Sequence, residues 1–128
     1  MIKILYIISG GAIGALSRYA VGGLSHRLFH GVYPIGTLAV NLVGSFVIGF
    51  LWAFFEDVNI SGNFRTFLFV GILGSFTTFS SYTLETLNLF NEGETKIALL
   101  NVLYNNVFGI VLVFLGFIAA RALINLIR

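Results

Sequence analysis

One segment of the chain carries an unusual density of hydroxyls. It reads Gly71-Ile72-Leu73-Gly74-Ser75-Phe76-Thr77-Thr78-Phe79-Ser80-Ser81-Tyr82-Thr83, in which seven of thirteen residues are Ser, Thr or Tyr and two are Gly. Consecutive hydroxyls cannot share one face of a helix. Ser and Thr compete for backbone hydrogen bonds and Gly adds conformational freedom, so a distortion or break is expected over 74–78. A break at membrane depth frees carbonyls that can coordinate a cation. The plainer alternative is a continuous, hydroxyl-rich helix. Phe79 and Tyr82 are three apart and can point to a common side. Aromatic ring edges carry partial positive charge, so they can meet an anion without a fixed cation that would trap it. Simple packing is the alternative for that pair. Two further stripes repeat at i, i+4: Thr37, Asn41 and Ser45, and Asn101 with Asn105, flanked by Tyr104 and Asn106. In an apolar helix such residues are either interhelical glue or the wall of a polar route.

The elements that position these groups follow from where charge is missing. The chain has 128 residues, 58% of them hydrophobic, with seven Lys or Arg and five Asp or Glu. That is 9% charged, against roughly 25% in soluble domains, and the mean hydropathy is +0.99. A soluble domain could not cover its surface on that composition, and a disordered chain is excluded by its hydrophobicity. Windows 31–55, 66–84 and 97–120 hold no charge. About 20 apolar residues cross a bilayer, and the shorter run 4–17 reaches that length if Arg18 lies within or at the edge of the membrane. The expectation is a single all-α domain over 1–128 with four transmembrane helices, at about 3–26, 35–56, 64–90 and 95–126. Lys3 and the first apolar run also fit a cleaved leader, but the glycine-rich pattern continues through Arg18 and Tyr19 with no obvious cleavage site. Short connections make sequential helices antiparallel. Lys3, Arg65, Arg121 and Arg128 then fall on one side, and Arg27 and Lys96 on the other. That is a small positive-inside bias, which a chain inserting in both orientations would have and a misplaced helix boundary would also give.

Other chemistries find little support. There is no cysteine, which removes disulfides, thiolate metal sites and cysteine nucleophiles. The basic residues are scattered, so no nucleic-acid grip is expected. His26 and His30 are i, i+4 but lack a third ligand. Ser80 and Ser81 have no base nearby in sequence, and Glu56 and Asp57 read as a loop boundary, so no enzyme is expected.

Three motifs carry a resemblance: Gly10-Gly11-x-x-Gly14-Ala15-x-x-Arg18-Tyr19, Gly36-Thr37-Leu38-x-Val40-Asn41-x-x-Gly44, and Gly74-x-x-Thr77-Thr78-Phe79-Ser80-Ser81-Tyr82. In order and spacing they resemble the Fluc (CrcB) fluoride channel family, and the third is the most specific. The resemblance implies a small protein of the bacterial inner membrane that assembles as an antiparallel, dual-topology homodimer in lipid. It implies passive, fluoride-selective export through two pores, protecting against fluoride toxicity. It further implies a central structural sodium ion, held by the carbonyls of Gly74 and Thr77 from both subunits. The fluoride path would carry Asn41, Phe79, Ser80, Ser81 and Tyr82, with Tyr104 and Asn106 from the fourth helix. Arg18 would stand near the aqueous vestibule and Glu85 would be the supporting acid. The family usually has Phe where this chain has Tyr82, so the ring edge is kept and a hydroxyl is added.

Two other readings make different demands. A proton-coupled small multidrug exporter needs a membrane-embedded carboxylate, and the first helix has none, leaving Glu85 alone, late in the third. An accessory membrane subunit would use the polar stripes as glue and conduct nothing.

Overall fold

A computed structural model describes residues 1–56 and 58–127; Asp57 at the loop boundary and the rim residue Arg128 lie outside the described residues. Four helices are long and apolar enough to cross a membrane: Ile2–Leu28, Ile35–Phe54, Gly62–Asn91 and Thr95–Ile127. Among the described residues there is no strand. Local chemistry sets the ends. Pro34 caps the start of the second helix, where its fixed φ and missing N–H cost nothing. Ser61 Oγ accepts from the Phe64 amide at 3.3 Å and opens the third. Gly93, at φ +82°, turns the chain out of the third helix, and the Glu94 amide then donates to the Leu89 carbonyl at 2.8 Å.

Glycines decide how the helices meet. Gly10 of the first helix and Gly71 of the third face each other, and a β-carbon on Gly71 would lie 2.9 Å from the Gly10 Cα. Gly49 of the second helix and Gly116 of the fourth each lie against the backbone of the other helix. A β-carbon on either would run into a backbone carbonyl of the other helix, Val113 and Phe46 respectively. Small residues thus let backbones touch, which is how helices associate where lipid removes the hydrophobic drive. Much of the remaining apolar surface faces outward: Leu16, Ile118 and Leu126 are all exposed. The interior, by contrast, contains a wholly buried amide, Asn101.

Two helices depart from α geometry. The third is α over Gly62–Arg65, π over Thr66–Leu73 and α over Gly74–Phe76. Thr77 (φ −79°, ψ 156°) and Thr78 (φ −150°, ψ 118°) are then extended, and helix resumes over Phe79–Asn91. The fourth is π over Tyr104–Phe108, between α segments Thr95–Leu103 and Gly109–Ile127. Nothing in the residue periodicity anticipates the π turns. They add about one residue per turn, and residues of both segments line or adjoin the polar interior.

Candidate functional site

The two extended threonines are held from outside their own helix. Asn41 Oδ1 accepts from the Thr78 amide at 2.8 Å, and Asn41 Nδ2 donates to the Thr78 carbonyl at 3.0 Å. One amide side chain therefore satisfies both backbone groups of Thr78, as a neighbouring strand would. The Thr78 amide would otherwise close a helical turn on Gly74. Its diversion leaves the Gly74 carbonyl without that donor. The Thr78 side chain caps the following segment, accepting from the Ser81 amide at 3.2 Å and donating to Ser81 Oγ at 3.0 Å. The Thr77 carbonyl faces Arg18, whose guanidinium nitrogen is 3.5 Å away.

Behind this clamp runs a chain of amides. Asn41 Nδ2 also donates to Asn105 Oδ1 at 2.9 Å. Asn105 Nδ2 donates to the carbonyl and the side-chain oxygen of Asn101, each at 3.0 Å. Asn101 Nδ2 reaches Thr86 Oγ1 at 3.0 Å, and Thr86 donates to the Tyr82 carbonyl at 2.8 Å. The network ties the second, third and fourth helices together with every amide satisfied.

Beside it lies a cavity of about 300 Å³ at the level of Thr77 and Thr78. Asn41, Gly74, Thr77, Phe79, Tyr82 and Asn106, site residues expected from the sequence, line it together with Ser45, Thr78 and Asn105 of the polar segments. None of its lining residues is a Lys, Arg, Asp, Glu or His. The Phe79 and Tyr82 rings meet edge to face, with centroids 5.1 Å apart and planes at 74°. Phe79 is 72% exposed on the protomer, whereas Tyr82 is buried. Among the lining side chains, the protons of Asn41, Asn105, Asn106, Thr77 and Thr78 all go to partners within the chain. Two hydroxyls there, Ser45 and Tyr82, donate to no described group.

The other sequence candidates stand apart from this cavity. Ser80 and Ser81 lie in the first turn after Thr78, near the Thr78 hydroxyl. The Tyr104 ring packs on Tyr33 and Phe108, at 6.1 and 5.2 Å between centroids. Glu85 belongs to a second cavity of about 220 Å³ under the first loop, where Thr37 Oγ1 donates to Glu85 Oε1 at 2.5 Å. Glu85 Oε2 and the Tyr33 hydroxyl are buried there without a protein partner. The space is large enough for the water that such atoms take. Burial first, and then Tyr104 and Glu85 nearby, push the Tyr33 hydroxyl up to about 12.

A family model described as "CrcB-like protein, Camphor Resistance (CrcB)" matches residues 5–117. The chain belongs to the CrcB family. It is 48% identical, over the full length of both chains, to a Parabacteroides distasonis protein named fluoride-specific ion channel FluC. A protein of the same name from Salinibacter ruber is 47% identical over 116 residues, covering 91% of this chain and 87% of the relative. A third, from Shewanella amazonensis, is 44% identical over 116 residues, covering 91% and 94%. Four spans and family membership together describe a multi-pass membrane protein.

Within this CrcB-family chain, spacing places Asn105 in a stripe but not at the site. Its role is visible only in the pairing with Asn41 across two helices. Tyr33 escapes sequence reasoning outright, since a lone loop tyrosine carries no spacing signal. Thr37 shares a helical spacing with Asn41 and Ser45, yet it is turned toward Glu85, while Asn41 and Ser45 line the larger cavity.

Proposed function

We propose that the chain is a passive fluoride-selective channel of the bacterial inner membrane that relieves fluoride toxicity, not an enzyme. The observation that carries this reading is its similarity to relatives named fluoride-specific ion channels, full length at 48% identity in one case. The cavity is chemically consistent with it. Fluoride is strongly hydrated and must be offered replacement donors. An uncharged cavity with ring edges and hydroxyls can take an anion without binding it too tightly to release. Arg18, beside Thr77, would raise local anion concentration through its field.

The functional unit we propose is an antiparallel, dual-topology homodimer with two pores. One four-helix unit leaves Phe79 largely uncovered, and an inverted second copy would bring two Thr77–Thr78 segments face to face. A central sodium ion suits that arrangement. The Gly74 carbonyl lacks its usual amide donor, and Thr77 is extended rather than helical. Both are hard oxygen donors of the kind that unwound backbone offers to sodium. The Arg18 contact to the Thr77 carbonyl is at the outer limit for a hydrogen bond and leaves the second lone pair of that oxygen available. When bound, the ion would add fixed positive potential at the centre. The carbonyls of Gly74 and Thr77 would hold it, and Asn41 would keep them exposed by occupying Thr78.

The test is fluoride efflux from liposomes reconstituted with the purified protein, with chloride as control. Rapid fluoride loss with chloride retained is expected. Absence of fluoride flux from well-folded protein would overturn the reading. Phe79→Ile should cut the flux sharply, since it removes a ring edge while keeping an apolar side chain.

A further inference from the structure

We infer that the Tyr82 hydroxyl is a hydrogen-bond donor to the permeating anion, and that Asn106 makes it one. The inference rests on the channel reading above and deepens it. Its basis is the direction of three hydrogen bonds. Asn106 Nδ2 lies 2.8 Å from the Val102 carbonyl, which can only accept. That contact fixes which end of the Asn106 amide is nitrogen. The second proton on the same nitrogen is then directed at Tyr82 Oη, 3.1 Å away. The phenolic oxygen is therefore the acceptor in this pair, and its own proton is left over.

No described group receives that proton, and Tyr82 and Asn106 both line the uncharged cavity. The amides around it offer nothing comparable. Asn41 spends both its protons on Thr78 and Asn105, and Asn105 spends its own on Asn101. Asn41, which the resemblance places in the fluoride path, is a backbone clamp in this geometry. A polarity follows: carbonyl, then amide, then phenol oxygen, with O–H at the end facing the cavity. At the Tyr82 hydroxyl such an arrangement favours an acceptor over a cation. The hydrogen bond from Asn106 also draws electron density from the phenol oxygen and strengthens its O–H as a donor. Asn106 is thus a positioning residue acting through Tyr82.

The experiment is the concentration dependence of fluoride efflux in liposomes for the unsubstituted protein, Tyr82→Phe, Asn106→Leu and the double variant. Tyr82→Phe keeps the ring and removes only the hydroxyl. It should raise the half-saturating fluoride concentration about tenfold, as loss of one hydrogen bond to a charged group does, and should speed exit from a shallower well. Asn106→Leu should raise it less, and the double variant should match Tyr82→Phe alone, because Asn106 acts through the hydroxyl. An unchanged half-saturating concentration in Tyr82→Phe overturns the donor role, and additive effects in the double variant overturn the coupling. Should Asn106→Leu not assemble, Tyr82→Phe decides the donor role by itself. No flux from the unsubstituted protein refutes the channel reading instead, so the two failures are distinguishable.

Discussion

Asn41 does more for this chain than its place in a polar stripe implies. Its one side chain satisfies both backbone groups of Thr78 and meets Asn105. Asn41→Leu keeps the volume but strands a buried amide and carbonyl, each of which costs about 1–3 kcal/mol when left unpaired. The variant is expected to unfold at markedly lower temperature in detergent, measured by a thermal melt beside the unsubstituted protein. Tyr33 makes a pH-dependent prediction. Its hydroxyl stays protonated well above the ordinary value of 10 and ionises at about 12. An unfolded chain would ionise Tyr33 near 10, so the folded state holds its proton longer. The stability this contributes is complete below pH 10 and is lost as pH rises toward 12. Tyrosinate absorbance should contain a component that titrates late, and Tyr33→Phe should diminish it by one tyrosine.

At the scale of elements, the spans are readable because charge is so rare. A charge-free apolar run of about twenty residues is the length a bilayer demands, and Pro34, Ser61 and Gly93 mark the connections by ordinary turn chemistry. The π turns over Thr66–Leu73 and Tyr104–Phe108 are not readable. A π turn carries about one extra residue per turn and leaves no mark on periodicity. The same holds for the site. The hydroxyl cluster around Thr77 stands out in the sequence, but the partnership of Asn41 with Thr78 spans 37 positions and depends on how two helices meet. Gly116 tests the meeting of the second and fourth helices. A β-carbon there strikes the Phe46 carbonyl, so Gly116→Ala must push those helices apart. Overpacking of this kind costs about 1–3 kcal/mol, and a lowered melting temperature is expected. An unaltered melt would mean that these helices do not pack so closely.

For the whole molecule, the two ends differ. Near one end, Arg121 pairs with Glu56 and lies over Phe117, while Arg65 lies over the Trp52 ring at 5.6 Å. These cations are anchored by aromatic faces and a carboxylate at the rim. At the other end, Arg27 closes the first helix and Lys96 opens the fourth. With basic residues at both ends, neither has a strong claim to the cytoplasm. The chain contains no cysteine, so a single one reports orientation cleanly. Asn59→Cys, in the exposed second loop, should be labelled by an impermeant maleimide on about half of the copies in intact cells, as a small charge bias predicts. Labelling of all copies, or of none, would refute dual insertion.

The clamp on Thr78 also has a consequence for how the protein is made. Chains emerge from the ribosome N-terminus first. Asn41 is therefore in place before the segment it holds, whereas Asn105 is synthesised 64 positions after Asn41. Until the fourth helix arrives, one proton of Asn41 and the network behind it have no partner. The third helix can adopt its extended threonines early, but the cavity beside them is finished only when the last helix docks. Loss of the fourth helix should therefore unmake the cavity while leaving the Asn41–Thr78 contact within reach of the first three.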